Sequence, residues 1–501
     1  MRSSHSRFAT TVVVGLLVGG CAAAASPAPP ATPSGSPTSQ APPVATPGAT
    51  SAVSTASPSL APVAAAAMAP VRGSAREIGE RVLMAPGPDG TLYVSIPRPG
   101  GSVLALLDRG GRPRPGWPIT VKDSTACGLL LPVADGSVRL VCDGTDLPQF
   151  DNDLSDARAL AFDAGGRSMA GWPVTLRPGA GSVVGAELTL LEGQIGTDTA
   201  DVGVTVSHVT WMTTVAADAS IRSGTKVPLV ETCCGEQWAV GPDGIAYGTT
   251  IVSGFDEEVD ELSQITALDR AGVRAGWPVS FDGIASGPAF GPGGRTVVTV
   301  GYYVRKTSRV LAFQRDGEAV AATSAELSIA SGEVVIFDGP YECGPPRPRT
   351  PLVAKDGTIF VTSEIDTAVF ALDPSLEVIR GWPYRPATPL VYRFRPSEEL
   401  SCGSLAVPAV GPDGTLYLPL RARDDTVGGS VVTVGPDGRV RPGWPVELKR
   451  PGAEFWSVVV GSDGTVYALA VEPESGGTSS ASILAIAPDS TVLYTTTIIE
   501  P

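Results

Sequence analysis

From about residue 82 the chain repeats itself, and that repeat restricts the fold more than any other feature. One phrase is a strand-turn-strand signal: Gly87-Pro88-Asp89-Gly90-Thr91-Leu92-Tyr93, Gly241-Pro242-Asp243-Gly244, Lys355-Asp356-Gly357-Thr358, Gly411-Pro412-Asp413-Gly414-Thr415 and Gly461-Ser462-Asp463-Gly464-Thr465. Weaker copies stand at Ala134-Asp135-Gly136 and Gly291-Pro292-Gly293-Gly294. Asp bonds its own backbone, Gly supplies positive φ, and the alternating apolar residues on either side read as strands. A second phrase follows, an apolar strand, a polar turn and Gly-Trp-Pro, carrying Trp117, Trp172, Trp277, Trp382 and Trp444. Proline donates nothing to a ladder, so Trp-Pro is expected on a sheet edge.

The turns place units near residues 82, 126, 181, 232, 284, 347, 400 and 454, eight units of about 52 residues each. The third, fifth and eighth lack Gly-Trp-Pro. So small a unit buries both faces of its sheet only by stacking on neighbours. The reading is all-β: an eight-bladed β-propeller of four-stranded antiparallel blades over 71–501, with seven blades as the alternative count. On these residues the stretch resembles the PQQ-like, quinoprotein-type propeller repeats, best at Ala267-Leu268-Asp269 with Trp277 and Ala371-Leu372-Asp373 with Trp382. The resemblance implies that the five tryptophans dock neighbouring blades. It implies no activity, because a propeller hosts many.

The N-terminus has its own logic. Arg2 and Arg7 precede an apolar run, Phe8 to Gly20, too short to span a bilayer. It ends in Leu17-Val18-Gly19-Gly20-Cys21, which resembles a bacterial lipobox. That resemblance implies a signal peptide over 1–20, lipidation of Cys21, and a place on the outer side of the membrane in the cell envelope. Residues 22–70 hold no charged side chain and are nearly all Ala, Pro, Ser and Thr. Such a stretch is expected to be a disordered spacer.

Charge and histidine content narrow the chemistry. A net charge of −15 disfavours nucleic acid. The chain has two histidines, one of them His5 in the signal. His208, in the strand-like run Val204 to Val209, reads as structural, and a multi-His metal site is excluded.

Strand order assigns the loops. The Asp-Gly turns and the turns before Gly-Trp-Pro fall on one face and are short. The insertions 143–157, 252–263, 336–349, 386–403, 421–429 and 471–481 fall on the other. Long loops on a rigid scaffold commonly carry binding, so that face is the expected interaction surface. Several of these loops are acidic. Asp151, Asp153 and Asp156 form the best candidate for a weak Ca²⁺ site, set against a plain solvated charge run.

Six cysteines follow Cys21, an even number suited to disulfides in an exported chain. Cys127 and Cys142 flank one hairpin turn symmetrically and should bond. Cys343 and Cys402 occupy equivalent unit entries and could bridge adjacent blades. Cys233-Cys234 either form a strained vicinal ring or pair crosswise with those two. The resemblance adds an enzyme reading. Some PQQ-dependent dehydrogenases of this fold stack a vicinal cysteine pair on the quinone, which would involve Cys233, Cys234 and Trp238. The family's calcium ligands and catalytic Asp find no matching motifs here. The expected function is therefore a monomeric, membrane-anchored binding scaffold for a protein or polysaccharide, with no cofactor assigned. The alternative is a PQQ- and Ca²⁺-dependent dehydrogenase. A hydrolase or lyase using central carboxylates comes third, with no residue pair to name.

Overall fold

The computed structural model describes most of residues 68–501. Outside it lie 1–67, 74, 76–81, 123–126, 143–157, 176–179, 182–187, 201–202, 224–226, 230–236, 253–261, 303–306, 323–326, 329–347, 363–367, 387–407 and 421–426.

The described backbone forms eight sheets in chain order, here called sheets 1 to 8. Sheet 1 sets the pattern: Leu83–Pro86, Leu92–Arg98, Gly101–Leu107 and Ile119–Lys122 lie side by side in sequence order, each antiparallel to the next. Sheet 2 spans 127–175, sheet 3 spans 180–229, sheet 4 spans 237–282 and sheet 5 spans 284–328. Sheets 6, 7 and 8 span 352–372, 409–447 and 454–500. These are the units that the repeat marks out.

The local chemistry of the turns explains the pattern. In sheets 2, 4, 6, 7 and 8 the first-turn Asp accepts the N–H two residues on, as Asp135 does from Ser137 at 2.8 Å. The following glycines have φ between +75° and +91°, a region that costs other residues energy.

The Trp-Pro pair is placed differently from the expectation. It does not sit in the outer strand but in the turn just before it, with all five Trp-Pro peptide bonds cis. The outer strand begins immediately after the proline in sheet 1, at Ile119. The edge assignment itself stands, because Ile119–Lys122 pairs on one side only.

The sheets stack face to face into a β-propeller. Among the described residues, seven of the eight core clusters draw on two neighbouring sheets: Tyr93, Leu104 and Trp117 of sheet 1 pack with Leu130, Val138 and Leu140 of sheet 2. Phe360, Ala371 and Trp382 of sheet 6 pack with Leu416, Leu418 and Val434 of sheet 7. The ring closes where sheet 8 meets sheet 1: Tyr467, Leu469 and Ile483 bury against Leu92, Val94 and Ile96. Tyr467 Oη donates to the Gly90 carbonyl at 2.9 Å, and Thr496 Oγ1 donates to that of Gly111 at 3.1 Å.

A two-residue strand ahead of the repeat completes the closure. Val71–Arg72 adds in parallel to the outer edge of sheet 8, Val71 opposite Ile499 and Arg72 opposite Glu500. Met68, Val71 and Ala75 are buried in the same cluster.

Candidate functional site

Two surfaces compete for function, and the strand order separates them. The short turns form one face. The connections between second and third strands, and between sheets, form the other.

On the short-turn face the recurring side chains are used in holding sheets together. Trp117 Nε1 donates to the Ala164 carbonyl of sheet 2 at 3.1 Å. Trp277 reaches Arg315 of sheet 5, Trp382 reaches Pro436 of sheet 7, and Trp444 reaches Pro488 of sheet 8, at 3.1, 3.0 and 3.2 Å. Each ring also meets an aromatic from its own sheet: Tyr93–Trp117 at 5.8 Å, Tyr247–Trp277 at 5.6 Å, Phe360–Trp382 at 5.4 Å and Tyr417–Trp444 at 5.8 Å. One neutral hydrogen bond contributes about 1 kcal/mol and one aromatic pair about as much again. The glycine before each Trp is needed for close approach: a Cβ on Gly276 would stand 1.7 Å from the Asp316 carbonyl oxygen. Asp243 of sheet 4 meets Arg315 of sheet 5 at 3.2 Å, so even charged turn residues span the junctions.

On this face the first turns of sheets 1, 6, 7 and 8 border an open depression of about 450 Å³. Pro86, Val353, Val410 and Val460 line it, with Lys355 and Ser462 as its polar side chains. An amine and a hydroxyl can hold an anion or a polar group.

Electrostatics on this face follow from burial and turn bonding. Burial pushes the phenols of Tyr93, Tyr417 and Tyr467 up to about 12. The Ser137 hydroxyl and N–H hold the Asp135 carboxyl below its usual range, and Ser375 does the same for Asp373.

The sequence candidates fall as follows. Cys127 and Cys142 stand opposite each other in sheet 2 and are disulfide-bonded, with Cα atoms 3.9 Å apart. Cys21, Cys233, Cys234, Cys343, Cys402, Asp151, Asp153 and Asp156 lie outside the described residues. His208 is in a strand of sheet 3, paired with Ile195. Trp238 lies flat on its own sheet: a Cβ on the facing Gly248 would be 2.3 Å from the indole ring. Among the described residues no group of three or more His, Cys, Asp or Glu side chains is placed to hold a metal.

On the long-loop face the insertions of sheets 7 and 8 are described in part. Val427 is 55% exposed. Arg450 pairs with Glu474 at 2.6 Å, and Trp456 Nε1 donates to Glu454 at 3.3 Å. Sequence reasoning passed over Trp456 and Arg450, which lie outside the insertion 471–481 in sequence; Arg450 reaches it only in space, through Glu472 and Glu474.

No protein-family profile matches the sequence, and a comparison with curated proteins finds no match. Solved structures give loose likenesses. A Lactobacillus plantarum protein aligns at a TM-score of 0.41 and 13% identity, over 72% of this chain and 97% of that one. A puromycin-hydrolyzing peptidase of Mycobacterium tuberculosis aligns at 0.39 and 16%, over 82% and 60%. A catalytically inactive virginiamycin B lyase of Staphylococcus aureus, with quinupristin, aligns at 0.32 and 10%, over 61% and 98%. At these values none of the three lends this chain an activity.

Proposed function

We propose that this chain is a lipid-anchored protein of the bacterial cell envelope whose propeller is a binding scaffold, meeting a protein or polysaccharide through its long-loop face. The observation that carries the reading is the division of labour between the faces. On the short-turn side the recurring chemistry of the repeat, Asp, Gly and Trp, is engaged in turns and sheet junctions. Length, charge and variety are left to the opposite connections, where scaffolds commonly bind. The lipobox-like Leu17 to Cys21 and the uncharged spacer support the tether. Acyl chains contribute roughly 0.8 kcal/mol per buried CH₂, so more than one chain gives stable anchoring.

The test uses photo-crosslinking residues placed in the full chain in cells. Probes at Val427 and Ser475, on the long-loop face, should capture a discrete partner. Probes at Ala164 and Asp437, on the short-turn face, should not. Capture from the short-turn positions alone would overturn the reading. Palmitate labelling that persists in Cys21→Ser would remove the tether from it.

A further inference from the structure

One position of the repeat is apolar where its surroundings are water. As the chain leaves the last turn of a sheet, on the short-turn face, one residue stands opposite the end of the third strand. Ile221 stands there against Val215 in sheet 3, Val273 against Leu268 in sheet 4 and Val378 against Leu372 in sheet 6. Val440 faces Val434 in sheet 7, and Val492 faces Ile486 in sheet 8. Sheets 1 and 2 have Pro113 and Ser168 at the same place.

The third-strand partners are buried, whereas the five residues opposite them are between 39% and 49% exposed. Among the described residues eight large apolar side chains are exposed; five are these, and a sixth, Leu493, follows Val492. A single exposed valine is ordinary. Solvent alone gives no reason for the same residue type to recur at one register position around a ring.

Their neighbours are cationic. Arg222 follows Ile221, Arg380 is two residues past Val378, and Arg439 precedes Val440; all three are exposed. The carboxylates of the same turns are held on their own backbone. Asp218 accepts the Ser220 N–H at 3.0 Å, Asp373 the Ser375 N–H at 2.8 Å and Asp437 the Arg439 N–H at 3.2 Å. What these turns expose together is an apolar side chain next to a guanidinium. That pair suits the boundary of a phospholipid layer, where apolar groups enter the acyl region and guanidinium bonds phosphate. The entry of the chain agrees with that side. Val71–Arg72 runs parallel to Val492–Glu500, which starts at this rim, so the chain enters the propeller heading away from the short-turn face.

We infer that the rim of the short-turn face rests on an anionic phospholipid surface, with its valines and isoleucine in the interface and its arginines on phosphate. The inference rests on the tether proposed above and adds an orientation: the long-loop face points away from the membrane.

The test reconstitutes the acylated full chain in vesicles of phosphatidylglycerol and phosphatidylethanolamine. A photo-crosslinking residue is placed at Val273, Val378 or Val440, or at Val427 on the long-loop face. The rim probes should form covalent phospholipid adducts in several-fold excess over Val427. Equal yields, or no rim adduct from chain that carries palmitate on Cys21, would overturn the docking and leave the tether standing. Absence of palmitate from Cys21 would overturn the tether and the docking with it. A second measurement separates docking from folding. Val273→Asp, Val378→Asp and Val440→Asp together should lower the phospholipid yield of a probe at Val492 several-fold, with the melting midpoint little changed. Val273→Thr, Val378→Thr and Val440→Thr replace them if that chain does not fold. An unchanged yield in the folded variant would overturn the docking.

Discussion

Gly276 shows how one position can be dictated by a neighbouring unit. Its φ of +84° and the Asp316 carbonyl only 1.7 Å from a notional Cβ leave room for no side chain. Gly244 has a similar φ of +75° but open space around it. Gly244→Ala should therefore cost about 1 kcal/mol, and Gly276→Ala roughly 3 kcal/mol, the excess being overpacking. Denaturant unfolding of both variants checks this; equal losses would refute the close approach. The ionisable residues make a second prediction. Tyr93, Tyr417 and Tyr467 have folded values raised to about 12 by burial. A group raised on folding stabilises fully below its unfolded value, near 10, and that contribution is lost as pH rises through the folded value. Stability should fall between about pH 10 and 12, with tyrosinate forming together with unfolding and not before it. Asp135 and Asp373 act in the opposite sense. Their lowered values give stability present above about pH 4 and lost as pH falls through the folded value. The turn residues were legible in the sequence because their bonds are local. The setting of Trp238 was not, because the Gly248 that its indole covers is opposite it only in the register of the paired strands.

At the level of elements, the sheets fall where the turn signals place them, since a four-stranded antiparallel unit is built from neighbours in sequence. Val71–Arg72 escaped notice for the opposite reason. It is two residues long, shows no alternation, and its partner Ile499–Glu500 is at the far end of the chain. Met68 is 3% exposed and Val71 8%. Removing residues 1–73 should therefore cost about 3 kcal/mol or more relative to removing 1–66, from lost apolar burial alone. Thermal unfolding of the two truncations decides it. Identical midpoints would mean the strand is no part of the closure. The Trp-Pro turns carry a related lesson. The sequence places proline at an edge, and the resemblance implies that the indole docks on a neighbouring sheet; that the pair precedes the strand is a tertiary fact.

For the whole molecule, the repeat makes the ring legible, and the ring in turn defines the two faces. The depression between the first turns of sheets 1, 6, 7 and 8 was not legible. Its lining comes from four turns far apart in sequence, each of which reads alone as an ordinary hairpin. The candidate calcium and vicinal-cysteine sites lie in connections outside the described residues, so their readings rest on the sequence. Every statement about which surface meets a partner depends on sheet 8 returning to sheet 1. The bond from Tyr467 to the Gly90 carbonyl is one link there, and Tyr467→Phe should cost about 1 kcal/mol. The closure has a direct test. A Cβ on Gly90 would lie 2.7 Å from the Asp463 carboxylate. In the double variant Gly90→Cys, Asp463→Cys, the account predicts a disulfide that forms in the native chain under mild oxidation and raises the melting midpoint above that of the same variant reduced. Failure of those two cysteines to bond, with the chain otherwise folded, would contradict the closed ring and with it the division between a structural face and a binding face.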